Sequence, residues 1–546
     1  MKAEIPVIDL FAGPGGLGEG FASLSDFFRI ELSAECSAPA HKTLQLRAFK
    51  RILEREGRSL DDYYDYLHGN TLSPVTAHSR PAWEQAKTEA LRLTLGEPYD
   101  DERLARELEQ RQLEAHGDWV LIGGPPCQAY SMVGRARNRS KFDYVPEDDE
   151  RHFLYREYLK LIQHYRPAVF VMENVKGMLS SRVGGKRIFH QILRDLTQPD
   201  KALHRSGNGA GYRIHSVVDG DIVYRAGDDP SSFTDDAFLV LAEHYGVPQA
   251  RHRVFLVGVR EDIRANPSEL RQRNTRPMSS VLADLPILRS GLSRGDGAAS
   301  WRAAVENCAR QLATEASNAG HHELAADIVR YSKEINAMKL SSRGGLRIPK
   351  DAAETEILTL GGQEPDQEPD LRSWLEDNNL EVWLNHEARA HMPSDLGRYI
   401  YAAAFARREG RSPVGSEEFG LPSLAPNHAN WTTGKFADRF RVQLWNEPSK
   451  TIMSHISKDG HYYIHPDPKQ CRSFTVREAA RIQTFPDNYF FEGNRTEQYH
   501  QVGNAVPPWL ARQIASIVKD LLISTGRREV SSEPCRGNKQ LAMPLR

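Results

Sequence analysis

Cys127 lies in Gly123-Gly124-Pro125-Pro126-Cys127-Gln128-Ala129-Tyr130-Ser131, directly after the apolar run Trp119-Val120-Leu121-Ile122. The run reads as a buried strand, and the two glycines and two prolines end it and turn the chain. A thiol is thereby presented on a stiffened loop at the C-terminal end of a strand, where ligands and chemistry collect in open α/β sheets. A second apolar run, Pro167-Ala168-Val169-Phe170-Val171-Met172, ends in Glu173-Asn174-Val175 and puts a carboxylate at its own strand end. Two parallel strands could bring the thiol and the carboxylate together. In Val247-Pro248-Gln249-Ala250-Arg251-His252-Arg253 the side chains of Gln249, Arg251 and Arg253 alternate, which predicts that they share one side of an extended chain. Alone they would be a surface cationic strip. Beside a thiolate and a carboxylate they could clamp an anion or a carbonyl.

The elements that must position these groups can be read in chain order. Ile5-Pro6-Val7-Ile8-Asp9-Leu10-Phe11 reads as a first strand, followed by the glycine-rich turn Ala12-Gly13-Pro14-Gly15-Gly16 into a helix. Such a turn lets a ligand approach the backbone and offers free N–H groups, but it is neither a P-loop nor an ordinary dinucleotide fingerprint. Residues 28–34 read as a second strand ending at Glu35, a carboxylate suited to ribose hydroxyls or simply solvated. Residues 41–68 read as a helix and a polar connection, and His68-Gly69-Asn70-Thr71 as the turn after a poorly marked third strand. Residues 81–116 read as a charged amphipathic helical insertion with a solvated face. The stretch 134–152 carries Arg135, Arg137, Arg139 and Lys141 and is either a lid touching phosphate or an exposed loop. From residue 264 the α/β alternation is lost. The segment to 440 is rich in Arg, Gly, Ser, His and Asn, and Gln363 to Asp370 reads as a loop or linker. Alternation returns with Thr475, an expected N-cap closed by Glu478, and with Gln501-Val502-Gly503-Asn504-Ala505-Val506-Pro507-Pro508 opening the last helix. Residues 526–546 are polar and expected to fray.

The composition narrows the classes. The 546 residues can bury a large core, and 40% hydrophobic with 26% charged residues describes an ordinary water-soluble protein. A net charge of -2 carries no global nucleic-acid signal, although a local basic face would suffice. The five cysteines are scattered without CxxC spacing, which argues against a disulfide framework or a zinc site. No signal-peptide pattern or ~20-residue apolar stretch is present, so no membrane span and a cytoplasmic location are expected.

In their order, six blocks resemble the DNA cytosine-5 methyltransferase family: DLFAGPGGLGEGF at 9–21, GGPPCQAYS at 123–131, ENV at 173–175, QARHR at 249–253, RSFTVREAARIQTFP at 472–486 and QVGNAVPP at 501–508. The resemblance covers roughly 1–262 and 440–525. It implies an α/β fold, a Rossmann-like S-adenosylmethionine-dependent methyltransferase sheet with a separate, irregular target-recognition domain. The domains would be 1–262 catalytic, 263–440 target-recognition, 441–525 returning to the catalytic domain, and 526–546 a disordered tail.

The implied activity is methyl transfer to C5 of a flipped-out cytosine in double-stranded DNA. C5 is a poor nucleophile, and a thiolate adding at C6 turns the ring into an enamine that can attack a methyl donor. The resemblance assigns Cys127 as nucleophile, Glu173 to N3 of the base, Arg253 to its O2, and Arg251 to support of the site or a phosphate. Gln128, Ser131, Asn174 and Gln249 would face the substrate. The donor would be S-adenosylmethionine, held by Asp9, Phe11, Ala12, Gly13, Gly15, Gly16, Glu35, Cys36 and Pro125, with Asn504, Ala505 and Val506 closing the pocket. Asn70 is the best match for the adenine contact, where the family usually has an acid. The thiols of Cys36, Cys308, Cys471 and Cys535 read as structural. No metal is expected. A cognate restriction endonuclease is an expected partner, and the protein is expected to be a monomer. Asn385-His386, Arg389, His391 and Arg398-Tyr399 have the chemistry for groove contacts, although any one of them more often packs or caps. Three alternatives stand beside this. An amino-methylating enzyme is disfavoured because Cys127 follows Pro-Pro. A tRNA-directed member of the family differs only in substrate. A non-catalytic DNA-binding module would not need both Cys127 and Glu173.

Overall fold

The computed structural model describes residues 4–113, 118–126, 154–183, 185–205, 209, 211–338, 340–351, 370–426, 431 and 439–527. Cys127, Gln128, Ser131, Cys535, the 134–152 stretch, most of the Gln363–Asp370 segment and the terminal tail lie outside them.

A nine-stranded sheet organises the chain. Its parallel half comprises β1 (Ile5–Leu10), β2 (Phe28–Glu35), β3 (Ala90–Arg92), β4 (Val120–Gly123) and β5 (Val169–Val175). The other strands are β6 (Tyr212–His215), β7 (Val223–Tyr224), β8 (Leu239–Leu241) and, after the two-residue β9 (Gln249–Ala250), the long β10 (His252–Arg260). The order is β3-β2-β1-β4-β5-β10-β6-β7, with β8 also pairing β10. β10 runs antiparallel to β5, Arg253 opposite Val175 and Phe255 opposite Glu173. The parallel strands are apolar runs buried on both faces, as helices on both sides require. Along β4, Val120 and Ile122 join one core with Val7, Val171, Val257, Ile514 and Val518. Leu121 faces the other way, into a second core with Ile8, Phe170, Met172, Ile162 and Ile192.

Helices α1 (Gly16–Ala22), α2 (Ala38–Arg55), α3 (Asp61–His68), α4 (Arg80–Glu89), α5 (Pro98–Gln110), α6 (Leu154–Tyr165) and α7 (Ile188–Thr197) connect or flank the strands. The third strand lies inside the segment read as a helical insertion: 81–116 holds α4, β3 and α5. Three residues, Ala90-Leu91-Arg92, are too few to show a period of two between charged helices. Asn70 consequently does not follow a strand. It stands exposed beyond α3 and donates from Nδ2 to Asp65 Oδ1 of that helix at 3.0 Å.

Beyond β10 the chain is more regular than the sequence suggests. Helices α8 (Ala298–Asn318), α9 (His322–Met338) and α10 (Pro393–Glu409) share a third core in which Trp301, Val305, Leu312, Ile328, Leu396 and Ile400 meet Phe440, Ile464 and Cys471. Trp301, Val305, Leu312 and Ala316 already sit at helical spacing, a signal that the Arg- and Gly-rich composition hid. The chain then returns to the sheet through α11 (Val476–Ile482), α12 (Arg495–Asn504) and α13 (Pro508–Leu522). The capping box of α11 forms as expected: Glu478 N–H donates to Thr475 Oγ1 at 3.2 Å and Thr475 N–H to Glu478 Oε2 at 2.7 Å. Among the described residues no helix is long and apolar enough to cross a membrane.

Candidate active site

The C-terminal ends of β1, β2, β4 and β5 line one edge of the sheet. There Glu173, near the end of β5, accepts from Arg253 Nε at 2.9 Å, with side chains 13% and 15% exposed respectively. Arg253 is two residues before Phe255, the register partner of Glu173, so alternation puts both charged groups on one face. The chain after β4 runs against this pair. A Cβ on Gly124 would stand 3.0 Å from Glu173 Oε2, so glycine lets the loop pass close to the carboxylate. Asn174 donates from Nδ2 to Pro125 O at 3.3 Å and pins the same loop. Cys127 is the second residue after Pro125 in the chain.

Beside this pair lies the glycine-rich turn after β1. Phe11 takes φ 54°, a left-handed conformation rare for an aromatic residue. Gly13 N–H donates to Glu35 Oε2 at 2.9 Å, and Ser37 N–H holds Glu35 Oε1 at 2.8 Å. A carboxylate has lone pairs left after two such bonds. Gly13 faces open space, since an added Cβ would meet no atom within 4 Å. Gly16 is the opposite case: a Cβ there would stand 2.2 Å from Val506 O and 3.3 Å from Ala505 Cβ. Ala505 and Val506 thus abut the turn, while Asn504 is exposed at the end of α12. Asp9, beneath the turn, is 1% exposed, and neither carboxylate oxygen has a hydrogen-bond partner among the described residues. Burial pushes its pKa up to about 8, Glu35 adding to the shift and Arg51 opposing it. Cys36 is exposed as a residue, its Sγ 3.6 Å from Glu35 Oε1; partial desolvation of the thiol and the neighbouring carboxylate raise its pKa.

Three residues assigned to substrate or catalysis turn out to be internal braces. Gln249 is fully buried; Nε2 donates to Gln483 Oε1 at 2.9 Å and Ile482 O at 3.3 Å, and Oε1 accepts from Ile452 N–H at 2.7 Å. Both N–H donors of its amide are used, and the group has no exposed surface for a ligand. Arg251, 1% exposed, donates to Ile452 O at 2.8 Å and Gly503 O at 3.2 Å, so no surface remains for a phosphate. Burial pulls its pKa well below the ordinary arginine range, Arg253 adding to the shift and Glu173 opposing it. Arg251 is therefore a positioning residue that ties the start of β10 to the chain leading into Ala505 and Val506. Asn174 is 5% exposed and, with Nδ2 on Pro125 and Oδ1 on Val175 N–H, holds the loop rather than facing a substrate.

The groove candidates fail for the same reason. Asn385 bonds the backbone of Phe491, and His386 lies between Thr475 Oγ1 and Pro286 O. Arg389 donates to the carbonyls of Ser457 and Lys458, Arg398 to Leu424 O and Asp395, and Tyr399 bonds His461, with His391 packed against its ring. All six are buried. Conversely, Tyr489 was not foreseen: its hydroxyl donates to Pro14 O, and Arg47 stacks on its ring at 4.5 Å. The two partners of that hydrogen bond are 475 residues apart, a contact that local patterning does not reveal.

A mostly parallel sheet with a glycine-rich turn after β1, an acid after β2 and a carboxylate at the end of β5 defines a methyltransferase fold. The sequence profile of C-5 cytosine-specific DNA methylases matches residues 100–205 and 232–520. Type II methyltransferase M.Bpa9945I of Bacillus paralicheniformis is 31% identical over 537 residues, covering 94% of this chain and 99% of that protein. Type II methyltransferase M.AgeI of Thalassovita gelatinovora is 27% identical over 526 residues, covering 94% and 98%. The fold matches the crystal structure of a proposed DNA modification methyltransferase encoded within an E. coli prophage, with TM-score 0.51, 18% identity and coverage of 95% and 100%. The chain belongs to the C-5 cytosine-specific DNA methylase family and is a DNA cytosine-5 methyltransferase.

Membership implies S-adenosylmethionine as the methyl donor, and the edge at β1 and β2 fits it. An open turn with Gly13, a half-buried Glu35 with acceptor capacity and the Ala505–Val506 wall match a ligand carrying hydroxyls, a charged amino-acid end and apolar surface. Gly16→Ala is expected to force the Val506 carbonyl away from the turn. Overpacking of this kind costs about 1–3 kcal/mol. Thermal unfolding should show that loss, and calorimetric titration with S-adenosylmethionine should show an affinity at least about tenfold lower, the equivalent of 1.4 kcal/mol. An unchanged affinity would mean that the 505–506 wall does not shape the donor site.

Proposed function

We propose that the protein methylates C5 of cytosine within a specific sequence of double-stranded DNA, through a covalent bond between Cys127 and C6 of a base flipped out of the duplex. The observation that carries this is the Glu173–Arg253 pair at the sheet edge, with the backbone that leads into Cys127 packed on the same carboxylate.

The thiolate of Cys127 adds to C6, and the electron pair moves to C5. Glu173 hydrogen-bonds N3 and supplies the proton that steadies the charge developing on the ring. Arg253 holds Glu173 in place and donates to O2. S-adenosylmethionine, when bound, supplies an electrophilic methyl group, and Phe11, Ala12, Gly13, Gly15, Gly16, Glu35, Ala505 and Val506 are the residues that would hold it. Once C5 carries the methyl group, water or hydroxide takes the C5 proton, the Sγ–C6 bond breaks to release the Cys127 thiolate, and N3 returns its proton to Glu173. Among the chain's parts, 263–440 is suited to reading the target sequence: it stands outside the nine-stranded sheet, and its helices α8 to α10 build a third core that Ile464 and Cys471 complete. The name type II methyltransferase on two nearly full-length relatives favours a role beside a restriction endonuclease.

Expression in a host without cytosine methylation, followed by bisulfite sequencing, tests this. 5-Methylcytosine is expected in one sequence context of the host DNA. Unmodified DNA beside methylated tRNA would overturn the proposed substrate.

A further inference from the structure

A second cluster of charge lies outside the site described so far. After β5 the chain makes a short helix, Gly177–Ser180, and a two-stranded ribbon in which Arg182 pairs with Arg187 and Val183 with Lys186. This ribbon, one face of α7 and the 231–235 segment line an open cavity of about 530 Å3. Of its ten lining residues four are Arg or Lys (Arg182, Lys186, Arg187 and Arg194), one is His190, and one, Asp235, is acidic. Asp235 is engaged already, with Arg187 at 2.6 Å and His190 at 3.0 Å. Asp229 lies within Coulombic reach of Arg194 and His190. Arg182 donates only to the neutral Gly185 carbonyl, at 3.1 Å, and Lys186 has no hydrogen bond or ion pair among the described residues. The cavity therefore keeps unneutralised positive charge, unlike an apolar small-molecule pocket.

Its location says which anion. Arg182 is seven residues beyond Val175, at the edge that carries Glu173, and the segment through Asp235 enters β8, whose Leu239 pairs with Val254 beside Arg253. At no more than about 3.6 Å per residue, the nine residues from Glu173 to Arg182 and the shorter path through β8 keep the cavity within roughly 32 Å of the Glu173–Arg253 pair. A duplex carries one negative charge per ~1.7 Å of its axis, so DNA delivering a base to that pair brings many phosphates within this range.

We propose that the Arg182–Arg187 ribbon and its cavity are a phosphate grip for the backbone of the DNA flanking the target base. The inference rests on the DNA-methylating function and adds to it a contact site remote from the reacting base. Phosphate contacts position without reading sequence, so the test needs no knowledge of the target. Duplex binding by the full chain is measured over a range of salt for wild type, Arg182→Ala/Lys186→Ala and the charge-keeping Arg182→Lys/Lys186→Arg. Loss of two contacts should make the log–log salt slope shallower by about 1.8, at about 0.9 per phosphate. KM for plasmid DNA should rise about tenfold with kcat unchanged, and the charge-keeping variant should restore both. An alanine variant that stays folded by circular dichroism but keeps the wild-type slope and KM overturns the grip while leaving methylation standing. So does protection of wild type, but not the variant, from heat by inorganic phosphate with no change in slope, because the cavity would then hold a free anion. A wild type that neither binds nor methylates duplex would instead fault the functional reading itself.

Discussion

Cys127→Ser is expected to abolish methyl transfer, with a loss on the order of 10⁴ or more. The reason is chemical. A serine hydroxyl is scarcely ionised near neutral pH, whereas a thiol is partly thiolate and intrinsically more nucleophilic. Addition to C6 is the step that makes C5 reactive, so no parallel route remains once the nucleophile is gone. Oxygen for sulfur changes little in volume, and the residues suited to the donor, the 11–16 turn, Glu35 and the 505–506 wall, are left intact. Transfer of a labelled methyl group to DNA should vanish while calorimetric binding of S-adenosylmethionine stays within about twofold of wild type. Turnover within tenfold of wild type would remove Cys127 from the mechanism.

Glu173→Gln should lower turnover by about 10²–10⁴-fold, the range for a positioned general acid. Glutamine keeps a carbonyl oxygen for Arg253 Nε, now 2.9 Å from Glu173 Oε1, so the local geometry should survive. It can still place a hydrogen bond toward the base, but it has no acidic proton to give to N3. Affinity for duplex should be preserved, because phosphate contacts dominate it. The informative measurement is single-turnover transfer at saturating DNA, which separates the chemical step from binding and product release. A rate constant equal to that of wild type would refute the N3 contact.

How far the chain could be read depended on the range of the interactions involved. The strands that lead to Glu35, Gly123 and Glu173, the turn at 12–16 and the Thr475–Glu478 capping box were legible, because apolar runs, glycines, prolines and cap residues act over a few positions, although β5 continues through Glu173 to Val175. β3 was missed because its three residues carry no period, and that displaced the expected strand end to Asn70. The helices α8 to α10 were hidden by a composition that suggested irregular structure, although Trp301, Val305 and Leu312 keep helical spacing.

The sequence alone determined the class of chemistry: a presented cysteine, a carboxylate at a strand end, an arginine-bearing strand and a glycine-rich turn, each a local pattern in fixed order. Only the tertiary structure decided which polar residues are available to a ligand. Gln249, Arg251, Asn385, His386 and Arg389 have the donors a base or phosphate would need, yet all spend them on backbone or side chains of distant segments. An amide or guanidinium is the same group whether its partner is a nucleotide or a buried carbonyl, and only packing across hundreds of residues settles which one it meets.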